Sequence, residues 1–214
     1  MSGLQPTGRE AVLDRLRREI YEGVRAPGAR VVQTDVAKAF GVSATPVREA
    51  MRDLVNEGLL TAEPHRAARV RDLDPAEAVD INDLRLLLEP YAAQAAAPHI
   101  STDELAELES LDAAMAHATG PDWVELNHRF HLVIIHATRN PTLVAMLTNL
   151  RHVSRFYFEA ALRADGGDYA HRNRQHREII AHLRHRDGAA AAATMSAHFS
   201  PSAELRRRLT RVAP

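Results

Sequence analysis

The sequence predicts a mainly α-helical protein: an N-terminal winged helix-turn-helix over residues 1–72, then an all-helical bundle over residues 73–214. Three observations carry this expectation. Apolar residues recur at spacings of three and four along nearly the whole chain, as helices buried on one face require. Strand-like runs gather at one place, where Leu59-Leu60-Thr61-Ala62 and Ala68-Arg69-Val70-Arg71 flank the turn Pro64-His65-Arg66-Ala67. The segment Asp72-Leu73-Asp74-Pro75 then interrupts the pattern as a linker and offers Asp74 to cap the next helix.

The first helix is expected from Arg9 to Glu22 on the stripe Val12, Leu13, Leu16 and Ile20, with Gly23 and Ala26-Pro27-Gly28 ending it. Two short helices follow, Thr34–Phe40 and Thr45–Glu57, joined by Gly41-Val42-Ser43-Ala44. Pro46 suits a first helical turn, where its missing N–H costs nothing, and Gly58 suits the end. The hairpin then forms the wing. Beyond the linker, helices are expected over 75–97, 102–117, 122–137, 142–164, 168–186 and 188–211. Ser101, Gly120-Pro121, Asn140-Pro141, Gly166-Gly167 and Asp187-Gly188 separate them, and the tract Ala189–Ala193 is good helix sequence. Pro90 and Pro201 fall inside helical patterns, so a kink or break is expected near each.

Composition narrows the class. With no cysteine there is neither a disulfide framework nor a thiolate metal site. The N-terminus is short and polar, and no apolar run approaches the roughly 18 residues of a membrane span, which makes a cytoplasmic protein the expectation. Net charge is −1, but residues 1–72 hold 12 Lys+Arg against 10 Asp+Glu while the remainder holds 15 against 18. That asymmetry is too slight to imply nucleic acid by itself, so the case rests on pattern.

A short helix, a glycine turn, a second helix and a wing have a mechanical use. The second helix can enter the DNA major groove with its leading residues at the base edges, while the first crosses the backbone. Ser43, Thr45, Arg48 and Arg52 occupy the exposed side of that second helix, and Thr34 opens the first. His65 and Arg66 at the wing tip are placed to reach the backbone or the minor groove. The alternative for Arg48 and Arg52 is a pair of solvated helix charges, and for Ser43 plain N-capping.

These residues carry a resemblance. The stretch Phe40-Gly41-Val42-Ser43-Ala44-Thr45-Pro46-Val47-Arg48-Glu49-Ala50-Met51, with Leu54 and Glu57-Gly58-Leu59-Leu60, resembles the GntR family of transcriptional regulators. Ile20-Tyr21-Glu22-Gly23 and Pro27-Gly28 fit its first helix and turn. Ala44 stands where the family usually has arginine, and Ala67 where it has a wing-tip glycine.

In the helical half, twelve histidines is a high count. Asn127, Phe130, His131 and Ile134 share one helix face; His176 stands in the same relation to Ile179, Ile180 and Leu183; His198 follows Met195. Each of these three histidines thus points inward from a different helix. Together with the Asn127 amide they could hold a divalent metal, zinc or nickel before manganese or cobalt, or be hydrogen-bonded core residues; spacing leaves both open. His128, His136, His152, His171, His182 and His185 are expected at solvated positions, with His171 close enough to His176 to share its cavity. Trp123 and Tyr157 read as packing residues, with Arg155 and Tyr157 also candidates to line a pocket.

Leu84-Arg85, Leu88-Glu89-Pro90, Asn127-His128-Arg129-Phe130-His131, Arg139-Asn140-Pro141 and His176-Arg177-Glu178-Ile179-Ile180, with Asp187 and His198, resemble the FCD ligand-binding domain of the FadR branch of the same family. The resemblance implies an FCD-like bundle and metal ligands at Asn127, His131, His176 and His198. It also implies an effector pocket lined by Arg85, whose alternative is a salt bridge to Glu89 four residues on, so that Glu89 joins the effector set. The expectation is a homodimeric, DNA-binding repressor that recognises a palindromic operator in double-stranded DNA and responds to a small organic acid. Two alternatives stand beside it: a metal-free acyl-CoA-type sensor, and a histidine-ligated zinc hydrolase. The hydrolase lacks a His-Glu-x-x-His or other nucleophile motif and leaves the winged helix unexplained, so no enzyme is expected.

Overall fold

The structure, a computed structural model, describes residues 8–64, 67–165 and 169–199. Two compact units divide at the linker, Met1–Leu73 and Asp74–Pro214. The wing-tip residues His65 and Arg66 lie outside the described residues, as do Pro201 and the basic run Arg206-Arg207-Arg208.

In the first unit, α1 (Gly8–Tyr21) buries Val12, Leu16, Ile20 and Tyr21. Short α2 (Gln33–Phe40) ends on Gly41 at φ 68°, a left-handed turn that lets the Gly41 N–H reach back to the last carbonyls of the helix. α3 (Ala44–Asn56) packs Val47, Ala50, Met51 and Leu54 inward. Gly58, at φ 73°, turns the chain into the wing. There β2 (Leu60–Glu63) pairs antiparallel with β3 (Ala67–Val70), Leu60 opposite Val70 and Glu63 opposite Ala67. A third strand was not expected: β1 (Arg30–Val32) joins the far side of β3, giving the order β1-β3-β2. Three residues are too few to display a strand period, so its place comes from β3, which offers an open edge. Ala67, where a glycine was the family expectation, is buried as the first residue of β3.

The second unit is helical throughout its described residues: α4 (Pro75–Ala96), α5 (Thr102–Met115), α6 (Gly120–Ala137), α7 (Pro141–Asp165), α8 (Tyr169–Arg184) and α9 (Gly188–His198). Asp74 caps α4 by accepting the Ala76 N–H at 2.8 Å. Ser101 and Glu104 form a reciprocal capping box at the start of α5. At Pro90, where a kink or break was expected, α4 continues unbroken with Pro90 buried. The core gathers Ile100, Leu108, Met115, Trp123, Phe130, Ile134, Ile179, Leu183 and Met195 from four helices and the α4–α5 connection. α4 packs against α6, α7 and α9, and α6 and α9 each carry a histidine of the centre described below. The start of α9 lies close to α4: a Cβ on Gly188 would lie 2.8 Å from the Gln94 carbonyl oxygen.

Candidate metal centre and DNA-facing helix

The leading end of α3 is exposed: Ser43, Ala44, Thr45, Arg48 and Arg52 all face away from the buried row of Val47, Ala50, Met51 and Leu54. Ser43 occupies the N-cap position, but its hydroxyl makes no capping hydrogen bond. Arg48 and Arg52 pair with no carboxylate among the described residues, whereas Arg9 holds Asp53 and Arg17 holds Glu57, both at 2.6 Å. Thr34 is also exposed, its hydroxyl 3.4 Å from Asp35 Oδ1. The helix thus presents hydroxyl and guanidinium donors to one side, which is the chemistry that phosphates and base edges accept.

In the bundle, α6, α8 and α9 bring His131, His176 and His198 together. Their side chains are 1%, 0% and 5% exposed, and one ring nitrogen from each lies within 4.8 Å of the others. Ring centroids are 5.7 Å apart for His131 and His176, 5.2 Å for His131 and His198, and 4.6 Å for His176 and His198. Asn127, one turn before His131 on α6, carries a buried Oδ1 with no hydrogen-bond partner. Both ring nitrogens of His176 are likewise buried and unpartnered, with the ring stacked on Trp123 and close to Phe130. An ordinary core histidine would leave such atoms unsatisfied at about 1–3 kcal/mol each. The donor set therefore fits a divalent cation bound through imidazole nitrogen and amide oxygen.

Protonation favours the same use. Burial pushes His131 down to about 4, helped by the Arg151 charge and partly offset by Glu89. Burial, reinforced by neighbouring imidazoles, holds His176 and His198 well below the ordinary histidine range. At neutral pH all three are uncharged, the form that binds a metal. His198 Nδ1 stands 3.1 Å from Gln175 Oε1, and His131 Nδ1 stands 2.9 Å from Glu89 Oε2. The second contact joins a buried imidazole to a buried, ion-paired carboxylate.

A cavity of about 70 Å³ opens beside the histidines, lined by Asn127, His131, His198, Tyr157 and the arginines of α4, α7 and α8. Arg85, Arg151, Arg155 and Arg172 all reach it. Arg85 and Arg155 thus lie on the wall, and so does Tyr157, whose hydroxyl donates to Glu77 at 2.5 Å. Arg155 is also tied to Glu159 at 2.8 Å and to Glu125. Glu89 does not line the cavity. It lies buried behind it, held by Arg85 at 2.7 Å and by Arg151 at 2.7 Å. Burial alone would raise the Glu89 carboxyl, but the Arg151, Arg85 and His131 side chains outweigh it and keep the group well below its ordinary value.

One histidine expectation is corrected, and the cavity alternative for His171 is closed. His128 is buried on the cavity wall, against the His152 ring at 5.1 Å, because the α6 turn that carries Asn127 and His131 inward carries His128 with them. His171 does not share the cavity; it is exposed and lies 3.2 Å from Arg174. Trp123 is a packing residue, fully buried with its indole N–H on Asn173 at 2.9 Å. Sequence reasoning missed Arg151 and Arg172. Arg151 stands four residues before Arg155, one turn along the same face, and that spacing was the available signal.

The sequence matches the FCD domain over residues 80–200 and the family described as "Bacterial regulatory proteins, gntR family" over residues 9–70. It is 29% identical over 197 residues to the uncharacterised HTH-type transcriptional regulator YdhC of Bacillus subtilis, covering 89% of this chain and 87% of that one. It is 24% identical over 198 residues to the galactonate operon transcriptional repressor of Escherichia coli, covering 82% and 86%. The solved structure of E. coli McbR/YncC superposes with a TM-score of 0.76 at 24% identity, over 97% of both chains. A GntR-type helix-turn-helix joined to an FCD bundle, matched along most of the chain, makes this protein a member of the GntR family of bacterial regulatory proteins, a transcriptional regulator and not an enzyme.

Proposed function

We propose that this regulator is a cytoplasmic, FadR-type repressor that binds a palindromic operator as a homodimer and answers to a small carboxylate at a metal-containing pocket. The observation that carries this reading is the meeting of three neutral imidazoles and an orphaned amide oxygen with an arginine-lined cavity. A divalent cation on Asn127, His131, His176 and His198, with zinc the first candidate, would supply positive charge and open positions at one end of the cavity. Arg85, Arg155 and Tyr157 would orient an anionic ligand from the wall, through charge-assisted hydrogen bonds of the kind guanidinium groups make with carboxylates. The name of one relative, a galactonate operon repressor, fits an effector of this class, since galactonate is a sugar carboxylate.

Thr34, Ser43, Thr45, Arg48 and Arg52 are the proposed DNA contacts, completed by His65 and Arg66 of the wing. Two recognition helices related by a two-fold axis would read the two halves of a palindrome. The effector controls binding to the extent that it prefers one arrangement of the dimer over the other. A metal-free acyl-CoA sensor fits less well: on a scale where one water needs about 10–15 Å³, the cavity takes only a handful of small groups.

The test is metal content by elemental mass spectrometry, on protein purified without a nickel column, beside His176→Ala. The expected result is about one metal per chain in the parent and none in the variant. If neither protein takes up metal after incubation with divalent ions, the histidines are core residues and the pocket binds its ligand without a metal.

A further inference from the structure

Two of the three histidines have one ring nitrogen facing an oxygen acceptor that other groups hold in place. Glu89 Oε1 accepts from Arg85 Nε at 2.7 Å and from Arg151 Nη1 at 2.9 Å, and Oε2 accepts from Arg151 Nη1 at 2.7 Å. The carboxylate is buried, ion-paired and can only accept, so His131 Nδ1, 2.9 Å from Oε2, meets it favourably only while carrying a proton. Around His198 the arrangement recurs with a neutral group. Gln175 donates its Nε2 to the Ala197 carbonyl at 3.0 Å, which turns its Oε1 toward His198 Nδ1 at 3.1 Å. There too the ring nitrogen must donate.

We propose that Glu89 and Gln175 are positioning residues that fix His131 and His198 in the Nδ1–H tautomer, leaving the Nε2 lone pair of each ring for the cation. This deepens the metal-pocket reading above and rests on it. A neutral imidazole can bind a metal only through its unprotonated nitrogen, so whatever holds the other N–H decides which atom is the ligand. His176 has no such partner, both its nitrogens being buried and unpaired, so the tautomeric order of the centre comes from α4 and from Gln175 on α8. Glu89 accordingly serves the centre from behind, without touching the ligand.

The experiment uses the full-length protein in two measurements. Long-range 1H–15N NMR of the metal-free parent, with 15N-labelled histidine, should show His131 and His198 protonated at Nδ1; an Nε2–H signal from both overturns the proposal without any variant. Zinc affinity, measured by competition with a chromophoric chelator, should fall about 10–100-fold in Glu89→Gln. The variant amide has a single oxygen. With that oxygen kept on the arginines, its NH2 faces His131 Nδ1 and favours the tautomer that blocks Nε2. A merely structural Glu89 would lower stability while leaving the His131 tautomer as it was, and that result overturns the proposal. If the parent binds zinc and Glu89→Gln binds it equally, Glu89 is not a positioning residue and the metal site stands. If the parent binds no zinc, the metal reading falls and this inference falls with it.

Discussion

Arg48 stands exposed on α3 without a carboxylate partner among the described residues, in a unit where Arg9, Arg17 and Arg25 are each paired. An arginine committed to an internal ion pair would have to give it up to reach a base; Arg48 does not. Replacing it with alanine should therefore cost operator affinity, by about 1–3 kcal/mol or roughly five- to 150-fold. The melting temperature should not change. Fluorescence anisotropy on an operator selected from random duplexes measures this, and an unaltered Kd removes Arg48 from the reading set. At this scale the sequence was informative where a helix period alone decides direction. It placed His131, His176 and His198 inward, and they are buried. It could not pair Glu89 with His131 or Gln175 with His198, because α4 meets α6 and α8 meets α9 only through tertiary packing. His128 was misjudged from its polar neighbours, although it lies three residues before His131, on the same side of the helix.

α5 shows how one helix end is secured. Ser101 accepts the Glu104 N–H at 3.2 Å, Glu104 accepts the Ser101 N–H at 2.9 Å, and Arg139 closes on the same carboxylate at 2.7 and 2.8 Å. Burial pushes the Glu104 carboxyl up, but the Ser101 backbone and Arg139 prevail and lower it. A carboxyl lowered in the folded state stabilises above its unfolded value near 4.5, and that contribution is lost as the pH falls through the folded value. Glu104→Gln should consequently be less stable than the parent at pH 7 by about 0.5–1 kcal/mol, a surface ion pair adding little to the cap. The gap should close in acid. Urea melts taken from pH 7 down to pH 2 check this, and a gap that stays constant over the whole range would mean that the charge is not involved. Helix starts of this kind were legible because capping is local: Asp74 caps where the sequence put it, and Ser101 and Asp187, read only as breaks between helices, cap as well. β1 was not, because a three-residue strand owes its existence to an edge supplied from 35 residues away or more.

At the scale of the molecule, α4 has two unlike faces. Inward it sets Arg85 and Glu89 at the candidate metal centre; outward it leaves Leu84, Leu87 and Tyr91 47%, 72% and 55% exposed, at spacings of three and four. Large apolar groups aligned on one helix face suit a second copy, as the proposed dimer requires. Leu87→Glu should shift sedimentation toward monomer and weaken operator binding while helix content holds. A variant that remains dimeric would move the two-fold axis elsewhere. The two-part architecture was legible because each half keeps its own period and the linker breaks it. The cavity was not, since it exists only once five helices have met.

Gly188 sets a limit of another kind. Alanine favours helices over glycine, and the five residues that follow Gly188 are all alanine, so random substitution would tend to extend the run backwards by one. The Gln94 carbonyl oxygen, 2.8 Å from where the new methyl would lie, resists that step, and the helix that would have to give way is the one that ends at His198. Neutral drift at Gly188 is therefore coupled to the placement of His198, the proposed α9 ligand ten residues on. Across descendants of this chain, tolerance at Gly188 should track whether the α9 histidine is retained.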